Sequence, residues 1–296
     1  MKRILTGCIA VTGAVFAIGW VLTAPKHIDP AEVAGLAPDL AVGEQLFHAG
    51  GCASCHAAPG AEGAEKLVLA GGHAFPSPFG TFFAPNISTD PQFGIGEWAA
   101  LDLANAMLHG TGPDGQHYYP AFPYTSYQRM SAHDIVSLHS YLQTLPADDT
   151  PNQAHDIGFP FNIRKSLGGW KLLFAPEGWV VDGPLSEVEA RGRFLVEGPG
   201  HCGACHTPRN ALGGPDLTRW LAGAVSPDGK GKIPNITPAS LQWSQADIAA
   251  YLQSGFTPDY DSAGGDMVDV IENMAKLSDD DLMAIAAYLK AIPAVE

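Results

Sequence analysis

Basic residues are the first thing this sequence lacks. Among 296 residues, 16 Lys and Arg stand against 31 Asp and Glu, a formal charge of −15. A chain so acidic repels polyanions, so nucleic acid is excluded as a partner. The acidity is read as solvated surface, with a docking face for a basic redox partner as the sharper alternative. Alternating runs of β-branched residues are also few, so strands should be minor and the fold all-α. Cysteine is sparse: there are five, and four fall in two close pairs, Cys52 with Cys55 and Cys202 with Cys205, leaving Cys8 alone. What is abundant is 34 Gly and 24 Pro, the mark of many turns and long surface connections. A fold of that kind buries less apolar area per residue, and a large cofactor filling its interior would help to stabilise it.

Long apolar runs are absent except at the N-terminus. Lys2 and Arg3 precede an uncharged stretch of twenty-one residues from Ile4 to Ala24, the pattern of an export signal. The stretch matches the ~20 residues needed to span a bilayer, and Leu22-Thr23-Ala24 followed by Pro25 makes a mediocre cleavage site. Residues 1–24 are therefore read as a membrane anchor ahead of a cleaved signal peptide. The positive flank stays in the cytoplasm and the rest is exported, to the periplasmic side of the inner membrane. Leu5-Thr6-Gly7-Cys8 resembles a lipoprotein site only superficially, because the apolar region follows the cysteine, and Cys8 reads as a small apolar residue.

Beyond the anchor one unit is used twice, its landmarks recurring in order at offsets of 145 to 150 residues. Cys-Ala-Ser-Cys-His at 52–56 matches Cys-Gly-Ala-Cys-His at 202–206, Pro85-Asn86-Ile87-Ser88 matches Pro234-Asn235-Ile236-Thr237, and Trp98 with Asp102 matches Trp243 with Asp247. A repeat this long is a duplicated domain rather than a solenoid unit. The expected division is 33–150 for the first domain, 151–184 for a connector and 185–296 for the second domain. In each half a closing helix starts at an N-cap, Ser131 or Ser278, with Asp134 or Asp281 three residues on. A first helix precedes each cysteine pair, around Val42 to His48 and Glu187 to Val196, where Gly43 and Gly192 would let another helix cross closely. A middle helix begins near Trp98 and near Trp243. The connector holds four prolines and an apolar stretch from Phe159 to Phe174; it is too hydrophobic for a free linker and should form a short helix around Leu167 to Leu173, packed between the domains.

With this composition one Cys-x-x-Cys-His is expected by chance about 0.003 times, yet two occur in register. Cysteines one helical turn apart can form thioethers to two vinyl groups on one edge of a haem, and the adjacent His56 or His206 can reach the iron. Structural zinc held by the four cysteines would leave both histidines unexplained, and a redox dithiol would need a βαβ setting that the sequence lacks. Two covalently bound haem c groups are the reading that remains. The sixth iron ligand would be a methionine or a histidine. Met1 is the start, Met107 and Met283 fall within helices near the core face, and Met274 lies just before the last helix. Met130 and Met267 are left as candidates outside the main helices, with His117 as the rival in the first domain and Met274 in the second. A His/Met pair raises the reduction potential and leaves no open position, which suits electron carriage. The competing reading is a dihaem enzyme, a peroxidase or sulfur-compound oxidase, in which one haem lacks a stable sixth ligand. His109, His117 and His133 have no counterparts in the second repeat and read most simply as surface residues.

The sequence also resembles a known family, the cytochrome c subunits of bacterial membrane-associated alcohol, aldehyde, gluconate and sugar dehydrogenases. The likeness rests on FAPNIST at 83–89, YPAFPYTSY at 119–127, FPFNIR at 159–164 with Trp170, LVEGPGHCGACHTPRNALGG at 195–214, and GGDM at 264–267. It implies a class I type haem fold in each domain and a role taking electrons from a dehydrogenase catalytic subunit toward quinone or a terminal oxidase. By the same likeness Met267 matches the second-domain ligand, and Pro85 and Pro234 offer carbonyls to the proximal His Nδ1. Family members commonly carry three haem domains where this sequence has two motifs, which leaves the step to quinone open.

Overall fold

The computed structural model describes residues 18–226, 229 and 231–296. Eight main helices run in chain order: α1 Leu40–Ala49, α2 Ala100–His109, α3 Ala132–Leu142, α4 Ser166–Phe174, α5 Glu187–Glu197, α6 Gln245–Ser254, α7 Met267–Met274 and α8 Asp279–Ala291. Local chemistry sets where they begin. Asp39 caps α1 through Ala41 and Val42 N–H. Ser131, Ser186 and Ser244 each accept from the backbone three residues on while the acidic residue there bonds back, closing a capping box at α3, α5 and α6. At α8 the box is half closed. Ser278 accepts from Asp281 N–H at 3.2 Å, but the Asp281 carboxylate is taken by Arg191 Nε at 2.7 Å and by Gln45.

In the first repeat α1 packs across α3, and in the second α5 packs across α8. Both crossings depend on glycine. A Cβ on Gly43 would lie 2.3 Å from the Ser137 carbonyl oxygen, and one on Gly192 would lie 1.9 Å from that of Ala284. Two apolar cores result: one holds Leu46, Phe47, Leu103, Ile135 and Leu138, the other Leu195, Ile248, Leu282, Ile285 and Tyr288. They meet where α1 ends, since Ala49 belongs to the second core and Phe194 touches both.

The fold is helical, with short strands the sequence reading passed over. β1 Ala74–Ser77 and β2 Gly80–Phe83 form a hairpin, β3 Asp156–Ile157 adds to β2, and β4 Ala224–Val225 pairs with β5 Lys232–Ile233. These strands are two to four residues long, too short to print an alternating pattern on the sequence. The connector is held on both sides. Its Lys171 Nζ donates to the His109 and Gly110 carbonyls at 2.6 and 2.8 Å, and its Trp170 Nε1 donates to Leu212 O at 2.9 Å. Most of the apolar run at 4–24 lies outside the described residues. Residues 18–22 are helical, and no helix among the described residues is long and apolar enough to cross a membrane.

Candidate functional site

Each Cys-x-x-Cys-His folds into one short turn of helix, Cys52–His56 in the first repeat and Gly203–His206 in the second, where Cys202 is the cap. The residue ahead of each first cysteine takes a left-handed conformation, Gly51 at φ 57° and His201 at φ 36°. That turn directs the two thiols to one side and the histidine to the next. His56 Nδ1 donates to the Pro85 carbonyl at 2.8 Å, and His206 Nδ1 donates to the Pro234 carbonyl at 2.8 Å. A carbonyl can only accept, so Nδ1 carries the proton in both rings and the lone pair lies on Nε2.

Two further pairs of residues build this arrangement, and the sequence reading missed them. Gly71 N–H donates to His56 O at 2.7 Å and Gly223 N–H to His206 O at 2.8 Å. Both glycines have positive φ, and a Cβ on either would come within 2.8 Å of the Pro-Asn backbone. The close pass brings the proline carbonyl to the imidazole. The asparagines after those prolines then tie the loop to the end of the repeat, Asn86 Nδ2 to Asp148 O and Asn235 Nδ2 to Val295 O at 2.8 and 2.7 Å. The signal was the repeated Leu-Ala-Gly at 69–71 and 221–223.

The four thiols are unpaired. Burial pushes Cys52 and Cys202 up to about 12, and burial together with Cys205, Asp269 and Asp266 pushes Cys55 up to about 11. Among the described residues no three His, Cys, Asp or Glu side chains converge on a point where a metal ion could bind. Burial also lowers the pKa of His56 and His206, more than the proline bonds raise it. A neutral imidazole with a fixed tautomer, two cysteines a turn apart and an apolar surround fit a covalently held haem.

The methionines do not occupy equivalent places. Met130 is buried, directly before the Ser131 cap, in the core that Cys52 borders. Counting from Ser278, that position in the second repeat is Leu277. Met267 opens α7 instead of lying outside the helices, and it packs half-buried against the core that Cys202 borders. Met274 ends α7 inside that core, Met107 is buried as expected, and Met283 is partly exposed. His117 is buried rather than on the surface, its Nε2 donating to Thr23 O at 3.0 Å; His109 is half-buried and His133 exposed.

The two motifs lie side by side. His201 Nε2 donates to Gly50 O at 3.3 Å, and its ring meets Tyr127 edge-on at 5.8 Å between centres. Asn273 on α7 donates to Ser54 inside the first motif at 2.9 Å, and Lys66 pairs with Glu272 and with Asp269 at 3.6 Å. Deeper in the seam the Glu197 carboxylate lies 3.3 Å from Arg129 Nε with both side chains buried.

A family model described as Cytochrome c matches residues 40–146 and 190–293. Over its full length the chain is 56% identical to a 296-residue stretch that makes up all of a Cereibacter sphaeroides protein named diheme cytochrome c-type. It is 38% identical over 274 residues to the fructose dehydrogenase cytochrome subunit of Gluconobacter japonicus, covering 90% of this chain and 55% of that one. It is 36% identical over 271 residues to the gluconate 2-dehydrogenase cytochrome c subunit of Pantoea cypripedii, covering 85% and 59%. The chain thus spans little more than half the length of these dehydrogenase subunits.

Proposed function

The chain belongs to the cytochrome c family, and from that premise we propose that it is a dihaem electron-transfer protein on the periplasmic side of the inner membrane. It takes electrons from a dehydrogenase catalytic subunit and passes them toward quinone or a terminal oxidase. Residues 33–150 and 185–296 are the two haem domains, of class I type, and 151–184 is the connector. Cys52 and Cys55 hold one haem c by thioethers, and Cys202 and Cys205 hold the other. His56 and His206 would bind iron through Nε2, and Met130 and Met267 would supply the sulfur ligands. When bound, a haem so ligated supplies a one-electron iron couple of raised potential with no open coordination position.

The protein's part is to orient and insulate. Pro85 and Pro234 fix each imidazole and increase its electron donation through the Nδ1 bond. Met130 and Met267 each lie against the core that borders their own cysteine pair. The observation that carries the reading is the pairing itself: two motifs, each with its His–Pro bond, placed back to back across His201, Gly50 and the Ser54–Asn273 contact. A short seam of this kind suits transfer from one domain to the other within one chain. Retention of residues 18–24 is supported by their packing onto the first repeat and the connector, Thr23 accepting from His117 in the one and lying against Gly168 in the other.

The test is purification of the full chain from membranes of cells with a haem-attachment system. A denatured mass carrying two haems, low-spin ferric spectra and reduction of both haems by a copurifying dehydrogenase on addition of its substrate are expected. A mass without both haems, or a high-spin haem at neutral pH, refutes the reading.

A further inference from the structure

The two Cys-x-x-Cys-His turns meet through equivalent stretches of chain. Positions 49, 50 and 51 of the first repeat answer to 199, 200 and 201 of the second, at the offset of 150 residues that relates Cys52 to Cys202. A Cβ on Gly50 would lie 3.7 Å from Pro199 O, and one on Gly200 would lie 3.7 Å from Ala49 O. Each segment thus faces the equivalent of itself, the reciprocal pattern of a two-fold contact.

At one position the two halves differ. Gly51 enters the first motif at φ 57°, a conformation natural to glycine, but the residue that enters the second at φ 36° is His201. A side chain strains the backbone there, and glycine would relieve the strain. What the histidine gains lies across the seam. Its Nε2 donates to Gly50 O at 3.3 Å, two residues ahead of Cys52, and its ring meets that of Tyr127 at 75°. Tyr127 is buried in the core that Cys52 borders, and its carbonyl accepts from Met130 N–H at 2.9 Å. Burial pushes the Tyr127 hydroxyl up and the nearby Cys52 and Cys55 push it further, so this tyrosine stands beside the first motif.

His201 is therefore joined along the chain to Cys202 and across the seam to two parts of the first site, the backbone leading into Cys52 and the segment leading into Met130. From Cys202 to Cys52 the route through it is covalent except for one hydrogen bond. The other polar contacts at the motif, Asn273 with Ser54 and Lys66 with Glu272 and Asp269, reach the first repeat from α7 rather than from the second motif.

We propose that His201 is the positioning residue for electron transfer between the two haem sites. It holds the second attachment turn at a fixed separation and angle from the first and supplies a bonded route between them. One electron moves, from the ferrous iron of one site to the ferric iron of the other, with no bond made or broken, and His201 keeps its Nε2 proton throughout. The proposal rests on the reading of both motifs as haem sites.

The experiment uses the full haem-loaded chain, half reduced, and measures exchange between oxidised and reduced haem methyl signals by two-dimensional NMR at two protein concentrations. The part of the rate that does not change with concentration is transfer within one chain. His201→Gly, which suits the backbone and removes the link, should keep both haems and slow that rate at least about tenfold, the order of loss that a displacement of about an ångström brings to a positioned reaction. His201→Asn accepts the left-handed conformation but falls short of Gly50 O, and should match His201→Gly. His201→Gln, whose Nε2 lies as many bonds from Cα as that of histidine, should restore most of the rate. Neither haem's reduction equilibrium, read by potentiometric titration, should change more than about twofold in any variant, because no iron ligand or charge is altered. If His201→Gly exchanges as fast as wild type, the proposal is wrong and the dihaem carrier reading stands. If a variant loses a haem or shifts one equilibrium well beyond twofold, His201 serves that haem alone and the proposal is overturned. If the wild type, carrying both haems, shows no exchange within one chain, the proposal and the reading of the seam as a transfer route fail together.

Discussion

Glu197 is the residue on which the two repeats and the connector converge, and its removal is the sharpest test of how the seam is held. The carboxylate is wholly buried. It accepts from Val180 N–H at 2.6 Å and Val181 N–H at 3.1 Å in the connector, from the Tyr288 hydroxyl on α8, and it lies 3.3 Å from Arg129 Nε in the first repeat. Glu197→Ala leaves three donors without an acceptor and a guanidinium buried without its countercharge. Burial already lowers the Arg129 pKa, an effect that Glu197 opposes. Removing one member of a buried pair costs about 3–5 kcal/mol, whereas replacing both by apolar groups is close to neutral. The single variant should therefore lose that much stability, and Arg129→Met with Glu197→Met should recover part of it. The orphaned Val180 and Val181 donors keep the recovery incomplete, at about 1–3 kcal/mol below wild type. The assay is guanidinium unfolding of the haem-loaded protein by circular dichroism, alongside the sulfur-to-iron absorption band, since Arg129 precedes Met130. A single variant within about 0.5 kcal/mol of wild type, or a double variant no better than the single, refutes the argument.

Met130→Ala and Met267→Ala should each leave the haem attached but without its sulfur ligand, so that one potential falls and the other stays nearly constant in a potentiometric titration; if Met267→Ala keeps both bands, Met274 is the residue to test. Gly192→Ala places a Cβ 1.9 Å from the Ala284 carbonyl oxygen and should cost about 3 kcal/mol, seen as a lower melting temperature of the second repeat. Burial pulls the Lys171 ammonium down to about 8. The unfolded chain then holds a proton that the folded one has released, so stability rises as pH climbs from about 8 toward 10. Urea titrations should show this rise in wild type and not in Lys171→Met.

Much of the helical frame was legible because short-range chemistry writes it. Ser131 with Asp134 announces a helix that the structure starts at that residue, the middle helix expected near Trp243 begins at Gln245, and the helix expected at Leu167 to Leu173 forms as Ser166–Phe174. The strands were not legible, since β3 and its partner β2 are more than seventy residues apart and share only two residue pairs. Asp281 fits a capping pattern as well as Asp134 does, yet its carboxylate serves Arg191, ninety residues away. Local pattern could not weigh that competitor.

The candidate site divides along the same line. On the proximal side, thioether attachment and the His–iron bond dictate a spacing that must fit one helical turn, so five residues suffice to read it. On the distal side nothing in the chain's local geometry is fixed, because any loop that reaches the iron can supply sulfur. The duplication carries this difference. Both Cys-x-x-Cys-His motifs, both Pro-Asn turns and both Leu-Ala-Gly corners recur in the same order, while Met130 answers to Leu277 and Met267 to Pro120 when the repeats are aligned on their closing helices. If those two methionines are the ligands, the copies kept one half of the site and each found the other half independently. The seam is the extreme case: Glu197, Arg129, Asn273 and Ser54 belong to no motif, and only a chain that has brought two folded units together gives them a role.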